Sequence, residues 1–141
     1  MAAIAGFGAA AGCVTGAPET PRIAALRDEF EARLKALAPD VVIYGAAAPR
    51  LPNTSAFSIP GTSAETMLMA TDLAGLAVSS GSACSSGKVK TSHILAAMGI
   101  SADVAKGTLR VSFGWNSGAA EVEAALAALA GILARKQRKT A

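Results

Sequence analysis

Two cysteines, one histidine and 4% aromatic residues leave little room for several kinds of chemistry. Cys13, Cys84 and His93 are too few to build a closed four-ligand zinc site, and no CxxC pair is present. A catalytic triad would have to use His93, which lies in an amphipathic stretch, Thr91 to Met98, where packing or capping is the simpler role. So few rings provide no stacking platform for bases. The net charge of +3 is gathered at Arg135, Lys136, Arg138 and Lys139 rather than spread as a stripe, and no nucleic-acid partner is expected. Those cations suit the negative end of a C-terminal helix. Only 16% of residues are charged against 52% hydrophobic, a balance that excludes disorder. The 141 residues suffice for one domain with a real core. Two reduced thiols without an oxidising framework point to a cytoplasmic protein.

Long hydrophobic runs are also scarce. Met1 to Val14 is the one candidate, and it falls short of the ~20 residues that span a bilayer. It lacks the positive flank of a signal peptide. No membrane association is expected, and the run reads as a helix to be buried against something else, with Cys13 assigned to packing.

What is present is an alternation of helix and strand signals without a repeat. Thr20-Pro21 opens a helix with a capping residue and a first-turn proline. Ile23, Leu26, Phe30, Leu34 and Leu37 continue it as one apolar stripe to about Ala38. Val41 to Tyr44 and Asn53 to Ile59 read as strands. Thr62 and Glu65 have the spacing of a capping box before a helix buried through Met67, Leu68 and Leu73. Gly75 to Ser79 is a third short strand. Leu109, Val111 and Phe113 alternate with Arg110 and Ser112, the period of a half-buried strand. A last helix begins after Ser117 and turns Val122, Leu126, Leu129 and Leu133 to the core. Trp115 is expected to fill a surface groove. The fold class is α/β in the broad sense, a two-layer α+β domain.

Ser79-Ser80-Gly81-Ser82-Ala83-Cys84-Ser85-Ser86-Gly87 sets one cysteine amid Gly, Ser and Ala. Such a segment has little side-chain bulk to pack and is expected to be exposed and mobile. A thiol there can travel between a substrate and an acceptor. Lys88 and Lys90 lie close enough in sequence to favour the thiolate.

These residues resemble the active-site loop of the cysteine desulfurases, in the NifS/IscS-like branch with its long Ser-Gly-Ser-Ala-Cys loop. The other branch carries a shorter loop with Arg and Gly ahead of its cysteine. Leu51-Pro52-Asn53-Thr54, Pro60-Gly61 through Glu65, Ser92-His93-Ile94-Leu95-Ala96-Ala97-Met98-Gly99 and Leu109-Arg110-Val111-Ser112-Phe113-Gly114 follow in the family's order. The resemblance covers nearly the whole chain and corresponds to the last third of such an enzyme, a fold-type I pyridoxal-phosphate enzyme of the class-V aminotransferase family. It implies residues 1–18 as the remnant of an interdomain helix and 19–141 as the C-terminal small domain, with the cysteine loop at 79–90.

The resemblance also implies roles. Cys84 would take sulfur from L-cysteine as a persulfide, leaving L-alanine, for iron–sulfur cluster assembly; a transient iron–sulfur contact through that persulfide belongs to the same expectation. Arg110 would hold the substrate carboxylate, and Asn53 is a weaker candidate for the same carboxylate, with a strand-edge turn role the alternative. The cofactor would be pyridoxal phosphate. Its Schiff-base lysine belongs to a large N-terminal domain not matched here, and neither Lys35 nor Lys106 has the expected setting. Expected partners are L-cysteine, an iron–sulfur scaffold or other sulfur acceptor, a companion chain carrying the large domain, and a second copy, since family members are homodimers. Two other readings stand beside this one: a non-catalytic persulfide carrier or interaction module, and an inactive truncated remnant.

Overall fold

A computed structural model describes residues 2–14, 20–80 and 92–140. Its frame is a four-stranded antiparallel sheet, β1 (Val42–Ile43), β2 (Thr54–Ser58), β3 (Ser79–Ser80) and β4 (Thr108–Ser112), in the spatial order β1-β2-β4-β3. The last strand in sequence therefore enters between the second and third. Helices α1 (Ala2–Val14), α2 (Thr20–Leu37), α3 (Ala64–Leu73), α4 (His93–Ala97), α5 (Ala102–Ala105) and α6 (Ala119–Thr140) complete the chain. Mixed helix and antiparallel sheet is the α+β architecture expected from the sequence.

The main core forms where α2, α3 and α6 cover one face of the sheet. Phe30 and Leu34 from α2 meet Phe57 from β2, Leu109 and Val111 from β4, Phe113 just beyond it, and Val122 and Leu129 from α6. The Phe30 ring stands 5.8 Å from Phe57 and 5.8 Å from Phe113 in tilted and edge-on contacts. Arg33 of α2 bridges to Glu123 of α6 at the surface, with a 2.8 Å bond to Oε2, and each group favours the other's charged form.

The opposite face is only partly covered. Tyr44, Leu95 and Ala105 make a small second cluster with Val42, Ala56 and Ile100. Hydroxyls finish it: Tyr44 Oη lies 3.1 Å from Thr108 Oγ1, Ser58 Oγ donates to the Val104 carbonyl at 2.6 Å, and Thr108 Oγ1 donates to the Ala105 carbonyl at 2.8 Å. This cover fixes the first half of β4 and stops short of Arg110, which is exposed.

Several local expectations are corrected. The cap of α3 is Ser63, whose Oγ accepts from Thr66 N at 3.3 Å; Thr62 instead turns its hydroxyl back to the Ile59 carbonyl at 2.7 Å. No capping box forms, because the Thr62 amide is already spent on that same carbonyl. The third strand lies at Ser79–Ser80, after Gly75 closes the helix with a φ of 76°. The helix read over Thr91 to Met98 spans only His93–Ala97 and buries Leu95; His93 is exposed rather than packed, and the cap position is held by Ser92 rather than by His93. Trp115 fills no groove; the residue is 76% exposed, and its carbonyl accepts from Arg22 at 2.5 Å. Cys13 is exposed, not packed, because every side chain described on α1 faces outward, Ile4 and Phe7 included. No helix among the described residues is long and apolar enough to cross a membrane.

Candidate active site

Arg110 sits at the centre of β4, on the face away from Leu109, Val111 and Phe113, as strand alternation requires. Its cross-strand partners are Ala56 on β2 and Ser79 on β3. Both are small, so the guanidinium has open space on either side. Its Nε donates to Ser79 Oγ at 3.1 Å, which steers the head group toward the β3 edge of the sheet. The terminal nitrogens carry no hydrogen bond among the described residues, and their parallel N–H pair is the geometry that grips a carboxylate.

Cys84, with Lys88 and Lys90, lies outside the described residues. Their point of departure is nonetheless fixed, since Ser79 and Ser80 pair with Arg110 and Leu109 before the chain enters Gly81. The segment expected to be loop from Ser79 onward thus begins as strand, and the arginine stands directly beside its root. Ser79 is the site residue that the sequence does not single out by chemistry. Its place at the head of the Ser/Gly run was the available signal, but its pairing with Arg110 depends on β4 entering between β2 and β3.

Asn53 is placed differently. Its carbonyl accepts from Phe113 N at 2.8 Å, continuing the β2–β4 ladder by one step. In that register it stands opposite a core-facing residue, while Arg110 belongs to the other face. No hydrogen bond joins Asn53 to Arg110 among the described residues.

The segment leading into Asn53 is anchored by an ion pair. Both guanidinium nitrogens of Arg50 donate to Glu31, at 2.7 and 2.9 Å. Burial pushes the Glu31 carboxyl up, but the Arg50 contacts, with Ser55 and the Arg27 charge, together outweigh it and hold the group below the usual carboxylate range; the Arg50 guanidinium is raised in return. Ser55 Oγ is buried beside this pair without a hydrogen bond of good geometry, and its proximity still favours the ionised carboxylate. Arg27 secures the same segment through the Leu51 carbonyl at 2.8 Å.

Pyridoxal phosphate needs a sheltered lysine amine, a partner for its ring and a phosphate cradle. Among the described residues Lys35, Lys106 and Lys136 are all exposed, and His93 is exposed at the first turn of α4. The described residues therefore do not form a site for the cofactor. What they do present is an exposed guanidinium, that of Arg110, beside the strand that leads into the cysteine-bearing segment.

Comparison with known proteins identifies the family. An IscS-like cysteine desulfurase of Mycobacterium tuberculosis is 41% identical over 118 residues, which are 83% of this chain and 30% of that protein. A cysteine desulfurase of Klebsiella pneumoniae is 36% identical over 118 residues, covering 84% of this chain and 30% of its own length. The crystal structure of a NifS-like protein from Rickettsia africae superposes with a TM-score of 0.71 at 32% identity, over 81% of this chain and 29% of that one. The chain thus spans about 30% of the length of these curated relatives. The aminotransferase class-V family matches residues 1–125, nearly the whole described fold, and the chain belongs to that family.

Proposed function

We propose that this chain is the cysteine-bearing portion of a cysteine desulfurase, in which Arg110 receives the carboxylate of L-cysteine and Cys84 receives its sulfur. The observation that supports the reading is the pairing of Arg110 with Ser79, because a guanidinium suited to a carboxylate then stands beside the strand that leads into the segment with the thiol. Distance along the chain from Ser79 to Cys84 is short enough for both to serve one small amino acid.

The proposed reaction is balanced. The Cys84 thiolate attacks the substrate sulfur, a sulfur–sulfur bond forms, and the substrate carbon–sulfur bond breaks. The carbon takes a proton to give L-alanine, and Cys84 is left as a persulfide. The thiol is oxidised and the substrate carbon reduced, so no further oxidant is required. Pyridoxal phosphate supplies the electron sink when bound in family members; here it would come with a companion segment carrying the lysine. The proposed destination of the sulfur is an iron–sulfur scaffold or another thiol acceptor. On this reading residues 19–141 act as the small domain and 1–18 as the junction with the large one.

A second reading, a carrier that accepts persulfide from a separate desulfurase, draws on the exposed positions of Lys35, Lys106 and Lys136. One experiment addresses both. The chain is incubated with L-cysteine alone, with a companion segment bearing the cofactor lysine, or with a complete cysteine desulfurase, then mapped by mass spectrometry. The expected result is one added sulfur at Cys84, formed with the companion segment and lost in Cys84→Ser; loading with the complete donor enzyme alone would favour the carrier. Because Cys13 is also exposed, it serves as the internal control: equal sulfur loading at Cys13 would remove the basis for assigning the relay to Cys84.

A further inference from the structure

A cavity of about 680 Å³ opens between the first turn of α3, the end of α5 and the last turns of α6. Its floor is apolar, made by Met67, Ala70, Ile132 and Leu133. Its rim carries three cations, Lys106, Arg135 and Lys136, against one carboxylate, Asp103. The volume is in the ~300–1,000 Å³ range of pockets that enclose small ligands.

The walls are held in place by backbone contacts. The Ala64 amide donates to the Lys106 carbonyl at 2.9 Å, tying the end of α5 to the start of α3. Gly107 lets the two segments touch: a Cβ there would lie 2.8 Å from Thr62 Oγ1 and 3.0 Å from the Thr62 carbonyl. Gly61, at a φ of 71°, leaves room for the Lys136 ammonium, which would stand 3.0 Å from a Cβ at that position. The amides of the α3 first turn are not the attraction, since Ala64 N and Thr66 N already have partners. Any anion is met by side chains. Thr66 Oγ1 accepts from Ser63 Oγ at 2.9 Å and keeps its own proton to donate.

We propose that this cavity binds a small organic anion with an apolar body, a phosphate monoester or carboxylate on an aliphatic chain. The floor takes the chain, and Lys106 and Arg135 take the head group. Neither half of the wall suffices by itself: a bare anion would leave the apolar floor wet, and a neutral chain would make no use of Lys106 and Arg135. Asp103 disfavours a second anionic group at its side of the rim, so a single head group fits better than a polyanion.

Octyl phosphate is the test ligand, with 1-octanol and inorganic phosphate as the tail-only and head-only controls. Binding is followed on the full chain through the Met67 methyl resonance. Octyl phosphate should shift that resonance and bind about tenfold or more tightly than either control. Lys106→Gln with Arg135→Gln should weaken it about tenfold or more, in keeping with the loss of charge-assisted contacts, and leave octanol unchanged. Both of those side chains are exposed, so the fold is not at stake. Ala70→Leu should weaken octyl phosphate and octanol together. Equal affinity for octyl phosphate and octanol, an unmoved Met67 signal, or full affinity in the double variant would overturn the proposal. Phosphatidylglycerol vesicles probe a lipid surface as the source of the same head group. Sedimentation with vesicles that is unaffected by Ala70→Leu, without octyl phosphate binding, would assign the cations to a membrane surface and sink the pocket.

Discussion

Glu31 is the residue whose ionisation should leave a visible mark on stability. Its carboxyl is nearly buried, 7% exposed, and paired through both oxygens with Arg50. Its folded pKa lies below the unfolded value of ~4.3, so its contribution is fully present above that value and is lost as pH falls through the folded one. Glu31→Gln should cost about 2 kcal/mol at neutral pH, since two charge-assisted bonds weaken and Arg50 keeps its charge. Urea unfolding from pH 7 to 3 should give a constant gap between the two proteins above about pH 5, closing at more acid pH. A gap that does not close would mean that charge is not what the pair contributes. Arg110 makes a different prediction because it is exposed and its one side-chain bond among the described residues is to Ser79. In an enzyme assembled from this chain and a companion bearing the cofactor lysine, Arg110→Ala should raise KM for L-cysteine about tenfold or more, the worth of a charged hydrogen bond at ~1.5–3 kcal/mol. Arg110→Lys should restore only part of it, and Ser79→Ala should have a smaller effect, since Ser79 orients the guanidinium without touching the carboxylate. Unchanged kinetics in Arg110→Ala would return the residue to an ordinary surface role.

Elements with a strong period are legible in the sequence, and those defined by long-range contact are not. The stripe of Leu26, Phe30 and Leu34 announces α2, and the alternation around Arg110 announces β4 and the face on which Arg110 stands. The ends of α3 and β3 are another matter. Thr62 and Ser63 are both good caps, and the choice falls to Ser63 because Thr62 is pulled back onto the Ile59 carbonyl at the contact with Gly107. No local rule reveals that contact, because Gly107 is distant in sequence. Ser79 and Ser80 become strand only because β4 offers them an edge. For the same reason the sequence could nominate Arg110 and Cys84 separately but not show which strand brings their segments together. Gly107→Ala tests the contact directly. The added methyl would meet the Thr62 carbonyl at 3.0 Å and the Ile59 carbonyl at 3.1 Å, both backbone atoms with little freedom to retreat. Thermal or urea unfolding should show a loss of about 2 kcal/mol, typical of overpacking. Thr62→Val in the same chain should not restore it, since the two carbonyls remain. A neutral Gly107→Ala would mean that this corner is loose, and the wall of the cavity with it.

At the scale of the molecule, the core and α1 part company. The sheet with α2, α3 and α6 shares one continuous cluster of buried side chains, to which none of the described side chains of α1 belongs. Residues 2–13 are exposed throughout, with Phe7 at 78% and Ile4 at 74%. A 13-residue helix lies in the ~12–15 residue range where even good helix formers are marginal in water, and Gly6, Gly8 and Gly12 each cost it about 1 kcal/mol more. Its stability must come from a surface that covers it, and in relatives nearly three times as long there is ample chain to do so. Deleting Ala2–Val14 should therefore leave the unfolding midpoint of the remainder within about 2 °C, because no core contact is lost. The same deletion should lower the binding of a hydrophobic dye and reduce self-association, since it removes the exposed Ile4 and Phe7. Ile4→Lys with Phe7→Lys should reproduce both effects in the full-length chain. A fall in midpoint of ~5 °C or more on deletion, the size expected for a loss of 1 kcal/mol or more in a domain of this length, would show that α1 is part of the cooperative core in solution.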